Sequence, residues 1–121
     1  MNESDVEEIV GNLVVHGGNA KSLAIEAIKA ARQGDFVHAD DLLKQSTDAL
    51  NEAHEFQTAQ IRQEITDDKP KPVTLLMVHG QDHLMNAITV HDLAEQIIGL
   101  CKQLVEAEHS DALKERRERY E

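Results

Sequence analysis

A chain of 121 residues supplies one hydrophobic core and has no room for a second. Its 23 acidic against 12 basic residues give a formal net charge of −11, which argues against binding a phosphate backbone and favours basic protein partners. A single cysteine excludes an internal disulfide framework, and neither a membrane-spanning apolar run nor a signal peptide is visible, so a cytoplasmic location is expected.

Aromatics are only 2% of the chain, and its apolar content is mostly Leu, Ile, Val and Ala, which suits helices packed on helices. From Asp5, the residues Ile9, Val10, Leu13 and Val14 recur at helical spacing, and the pattern resumes after Gly17-Gly18 with Leu23, Ala24, Ala27, Ile28 and Ala31. This predicts a first helix over about residues 5–33, bent or broken at the glycine pair, capped by Ser4 or Asp5 and stopped by Gly34. Asp35 is placed to cap a second helix over about 35–66, whose apolar positions are Phe36, Ala39, Leu42, Leu43, Ala49, Leu50, Ala53, Phe56 and Ile61. Asp67-Asp68-Lys69-Pro70-Lys71-Pro72 combines charge with proline and reads as the one clear linker.

A third helix is predicted over about 73–108. One seam on it reads Leu76, His79, His83, Asn86, Val90, Leu93, Ile97, Leu100 and Leu104; a second reads Leu75, Val78, Asp82, Met85 and Thr89. Polar groups interrupt both seams at the same level, where burial costs free energy unless they are partnered, and that cost points to function. One chain cannot easily bury both seams, so an oligomer is expected. The charged stretch from about 110 to 121 reads as a solvated extension of this helix or a frayed tail. The whole is expected to be one all-α domain, an antiparallel three-helix bundle.

His79, Asp82 and His83 stand at i, i+3 and i+4 and so share one side of the helix. Two histidines one turn apart with a carboxylate suit a transition metal, as in a zinc enzyme. A neutral imidazole also suits nucleophilic phosphoryl transfer, with Gly80 leaving room for a partner to approach. The third reading is structural, with histidines hydrogen-bonded inside a bundle.

The octet Val78-His79-Gly80-Gln81-Asp82-His83-Leu84-Met85 closely resembles the phosphorylation-site motif of the enzyme IIA component of the lactose and cellobiose/diacetylchitobiose class of the bacterial sugar phosphotransferase system. Asn19-Ala20-Lys21-Ser22-Leu23-Ala24, Ala27, Gln33-Gly34-Asp35-Phe36, and Leu50-Asn51-Glu52-Ala53-His54 with Gln57-Thr58 also resemble that family, in the right order, from about Glu8 to about Leu104. The resemblance implies a homotrimer, a nine-helix bundle with the third helices around the axis. It implies that His79 accepts phosphate from the histidine-containing phosphocarrier protein and passes it to a cysteine of a cognate IIB component, with Gln81 and His83 in support. Contact with the membrane is then indirect, through the IIC transporter. Asp82 is implied to lie at the trimer axis, where three copies share a divalent, magnesium-like cation; no organic cofactor is implied. The alternative within this resemblance is a helical regulatory or interaction module that has lost phosphorylation. His16, His38, His54, His91 and His109 read as surface or hydrogen-bonded structural histidines, and Cys101 as a packed thiol.

Overall fold

A computed structural model describes residues 3–69 and 71–120, and the chain is all-helical among them. The helices are α1 (Glu3–Arg32), α2 (Phe36–Thr66) and α3 (Leu75–Tyr120). A Cβ on Gly80 would lie 3.1 Å from Val10, and one on Gly17 would lie 3.4 Å from the His83 carbonyl oxygen. α1 and α3 therefore run in parallel, with α2 returning antiparallel to both.

The turn between α1 and α2 follows the sequence closely. Gly34 takes φ +82°, a left-handed value that favours glycine, and its N–H donates to the Ala31 carbonyl at 3.0 Å. The Asp35 carboxylate then accepts from the His38 N–H at 3.2 Å, satisfying one orphan donor of α2. Thr74 does the same for α3, its hydroxyl accepting from the Met77 N–H at 3.2 Å. Of the predicted linker, Pro70 lies outside the described residues.

Alanine lines the core: Ala20, Ala24, Ala27, Ala30, Ala31, Ala39, Ala49, Ala53, Ala87 and Ala94 are all buried. Leu13 and Leu84 are the largest fully buried side chains. Small residues at the contact lines let three helices approach closely, and the larger Phe36, Leu42, Leu43, Leu50, Phe56 and Ile88 close the edges.

Four expectations need correction. α1 is continuous through Gly17-Gly18, because α1 packs on its neighbours there and glycine costs a packed helix only about 1 kcal/mol. Ser4 and Asp5 lie inside α1 and do not cap it; the capping position is outside the described residues. α3 does not end near residue 108 but continues to Tyr120, so of the two readings of the charged stretch the solvated extension of the helix holds and the frayed tail does not. Neither predicted seam of α3 packs in the core of the subunit: the buried line is Gly80, Leu84, Ala87, His91, Ala94 and Ile98. Leu75, Val78, Met85, Leu93, Ile97, Leu100 and Leu104 all stay exposed on a single chain.

Candidate functional site

The third helix carries the site residues because its buried line and its histidines are one step apart. Gly80 faces α1 and is buried, with Val10 and Leu13 against it. This corrects the expected role of Gly80: its missing side chain lets α3 sit close to α1, rather than opening room for a partner. Its neighbour His79 is thereby left exposed at the edge of the α1–α3 contact, while His83, one turn on, is half-buried. Gly17 lies against the backbone of His83 and fixes the level of α1 there. The two imidazoles meet edge to face, with centroids 4.5 Å apart and planes at 76°. His79 is thus held on one side by a ring and open on the other, which is the access a transferable group requires.

The structure does not gather the other two predicted site residues with His79. Gln81 is two residues along, about 200° around the helix, and points to α2. Its Oε1 accepts from Gln57 Nε2 at 3.0 Å, and its Nε2 donates to Gln60 Oε1 at 2.7 Å. His54 Nδ1 lies 3.2 Å from Gln57 Oε1, so an ordered chain runs His54, Gln57, Gln81, Gln60. It ends on Gln60 Nε2, a buried amide nitrogen with no hydrogen-bond partner among the described residues. The sequence reading missed Gln57 and Gln60 as partners of Gln81. A polar residue at Gln60, in the apolar register of Ala49 and Ala53, was the available signal. Beside Gln60 lies a cleft of about 170 Å³, lined also by Val6, Gln63, Asp67, Lys71, Val73 and Met77; His79 is not part of it.

Asp82 is exposed, and its carboxylate accepts from Asn86 Nδ2 at 3.3 Å. It stands on the outward stripe with Leu75, Val78 and Met85. Among the described residues, no group of three or more His, Cys, Asp or Glu comes together to hold a metal within one chain. His79, Asp82 and His83 therefore do not form the zinc site that their spacing allows.

The remaining histidines take separate positions. His91 is buried, with Nε2 2.8 Å from Thr47 Oγ1 and Nδ1 3.3 Å from Asp92 Oδ1. His16 pairs with Glu52 at 3.1 Å and stacks on Phe56. His38, His54 and His109 are exposed, and Cys101 packs against the cluster of Ala27, Ala31 and Ile98.

A three-helix subunit presenting an exposed, braced histidine defines a carrier of a small group between proteins better than a pocket enzyme. Residues 8–102 match the model of the lactose/cellobiose-specific IIA subunit family of the phosphotransferase system. The chain is 46% identical to the lichenan-specific phosphotransferase enzyme IIA component of Bacillus subtilis, over 88% of this chain and 94% of that protein. It is 43% identical to the N,N'-diacetylchitobiose-specific EIIA component of Escherichia coli K12, over 83% and 85% of the two chains. Among solved structures, the cellobiose-specific enzyme IIA of Bacillus anthracis superposes with a TM-score of 0.80 at 42% identity, covering 88% of this chain and 94% of that one. The chitobiose IIA solved in solution in complex with HPr, from Escherichia coli, gives 0.69 at 39% identity, over 86% and 98%. The chain belongs to the lactose/cellobiose IIA family and is a phosphocarrier component of a sugar phosphotransferase system.

Proposed function

We propose that His79 is the phosphoryl acceptor of this carrier, on the observation that its ring is exposed while the neighbouring His83 ring braces it edge-on. A lone-pair nitrogen of neutral His79 attacks the phosphorus held on a histidine of the donor. A new P–N bond forms as the donor's P–N bond breaks; each phosphorylated ring carries a proton on its other nitrogen, so the donor's imidazole leaves neutral. In the second transfer a cysteine thiolate of the IIB partner attacks the same phosphorus, so that a P–S bond forms and His79 is released neutral. The donor is the histidine-containing phosphocarrier protein, a reading supported by the solved complex of a relative with HPr. Membrane contact is then indirect, through a IIC transporter on whose cytoplasmic side this carrier acts; no helix among the described residues is long and apolar enough to cross a membrane. The sugar is a disaccharide such as cellobiose, diacetylchitobiose or lactose.

Three copies form the working unit, with α3 of each around a common axis and the outward stripe of Asp82 facing it. Asp82 fits a shared divalent cation such as magnesium only as one third of a site, since each chain brings one carboxylate on an otherwise apolar stripe. When bound, the ion would offset the repulsion of three carboxylates. Gln81 supports the site indirectly by tying α3 to α2 through Gln57 and Gln60.

Incubation with phosphoenolpyruvate, enzyme I and the phosphocarrier protein should add one acid-labile phosphoryl group, read by intact mass. His79→Gln should abolish that gain with helical content unchanged, and His83→Gln should reduce it only partly. Phosphorylation of His79→Gln but not of His83→Gln would reverse the assignment. No gain by the native chain would favour a regulatory module instead.

A further inference from the structure

The sixteen residues from Val105 to Tyr120 continue α3 beyond the bundle. Lys102 pairs with Asp40 in the first turns of α2 at 3.1 Å, so everything after it passes the α1–α2 turn, and every residue from 103 to 120 is exposed. The family match stops at residue 102, before this segment. An isolated helix of this length is marginal in water, which calls for something to pack on it.

Its charges are sorted by face. The exposed line Leu93, Ile97, Leu100, Leu104 continues in the same spacing as Glu108, Asp111, Glu115, Glu118, so apolar packing along that line ends at Leu104. Away from this line, Leu113, Arg116, Arg117 and Tyr120 line one shallow concavity, with Arg119 at its flank. Residues 113–120 hold four cations (Lys114, Arg116, Arg117, Arg119) against two carboxylates (Glu115, Glu118), on a chain whose net charge is −11.

We propose that this basic face docks on the outer face of α2 of a second copy of the chain, along the exposed Asp41, Asp48 and Glu55. These carboxylates recur every seven residues on one line, about 10 Å apart, so the basic face over residues 113–120, also about 10 Å long, spans two of them at a time. Lys44 lies beside the line and is outnumbered by it. The contact must be made between trimers, because the extension runs straight past its own α2 and, with the α3 helices side by side around one axis, past the α2 of its trimer partners as well. Leu113 and Tyr120 supply the apolar anchor at the centre of the charged contact. An anionic lipid surface fits less well: Glu106, Glu115 and Glu118 are interspersed, and two large apolar side chains give little to insert.

Sedimentation velocity of the full chain at low salt should show a species larger than the trimer that grows with concentration and dissociates back to the trimer as salt is raised. In Arg116→Glu/Arg117→Glu/Arg119→Glu, with helical content checked by circular dichroism, that association should weaken by about tenfold or more. A variant carrying Asp41→Lys, Asp48→Lys and Glu55→Lys should lose it likewise, and mixing the two variants should restore a mixed species. An unchanged mass distribution in the arginine variant, or failure of the mixture to reassociate, would overturn the proposal. So would binding of the full chain to phosphatidylglycerol vesicles without any self-association. Phosphoryl acceptance is read separately on the same samples and should stay unchanged, so failure here is distinct from failure at His79.

Discussion

His91 is the one histidine taken into the buried line of α3, in register with Ala87 and Ala94. An imidazole there is tolerated because both ring nitrogens have partners: Thr47 across the α2–α3 contact and Asp92 beside it. The Thr47 hydroxyl also donates to the Leu43 carbonyl at 3.1 Å, so toward His91 it serves as the acceptor. Thr47→Val keeps the volume but removes the 2.8 Å partner of His91 Nε2, leaving it only the Glu95 carboxylate at 3.9 Å, and should lower unfolding free energy by about 1–3 kcal/mol. Thr47→Val with His91→Leu removes both polar groups and should cost less than the two single changes added together. Urea denaturation of the three variants checks this, and strict additivity would mean that the 2.8 Å contact contributes no coupling. Ser46 poses the same problem on α2 and solves it across the α1–α2 contact, its hydroxyl donating to the Ala20 carbonyl at 2.7 Å. Neither partner is readable from spacing, since each joins residues far apart in the chain; what the sequence does show is a polar residue standing in an apolar register.

At the scale of the helix, Gly17 and Gly18 look alike in the sequence and differ in the fold. A Cβ on Gly17 would make ordinary to slightly tight contact with the His83 and Leu84 backbone, whereas nothing lies within 4 Å of one on Gly18. Gly18→Ala should therefore stabilise the subunit by about 0.5–1 kcal/mol through helix propensity alone. Gly17→Leu should destabilise it, because a side chain much larger than a methyl must push α1 away from α3. Thermal melts of the two variants should move in opposite directions, and a stabilised Gly17→Leu would show that this contact is loose. The turn at Gly34-Asp35 was legible because both residues act on their own neighbours. The core line of α3 was not. Gly80, Ala87 and Ala94 carry little hydropathy, while the larger Leu76, Leu93, Ile97 and Leu104 form a stronger periodic signal that the single subunit leaves outside. Periodicity detected the more apolar face, and close packing on α1 selected the smaller one. The octet containing His79 was legible as a family motif, but the reach of Gln81 to Gln57 and Gln60 on α2 required the packed fold.

For the whole molecule, the exposed stripe of α3 and Asp82 within it bear on assembly together. Leu75, Val78, Met85, Leu93, Ile97, Leu100 and Leu104 are each 37% or more exposed on a single chain, a continuous apolar line that water opposes. Pairing such stripes around a symmetric axis removes that area from water and brings the copies of Asp82 to one level. Three ionised carboxylates would repel one another in that environment, and a divalent cation held by their oxygens, as proposed above, would offset the repulsion. If the proposed trimer holds such an ion, a chelator should lower the thermal stability of the native protein by several degrees, with its mass in the ultracentrifuge unchanged or reduced. Asp82→Leu removes the ion and the repulsion together, since replacing a buried charged group by a packed apolar one is often neutral or stabilising. That variant should be a trimer at least as stable as the native protein and indifferent to chelator. Melts and sedimentation of both proteins, with and without chelator, decide the matter. A native monomer, or an Asp82→Leu trimer that still loses stability on chelation, would show that Asp82 does not hold an ion at the axis.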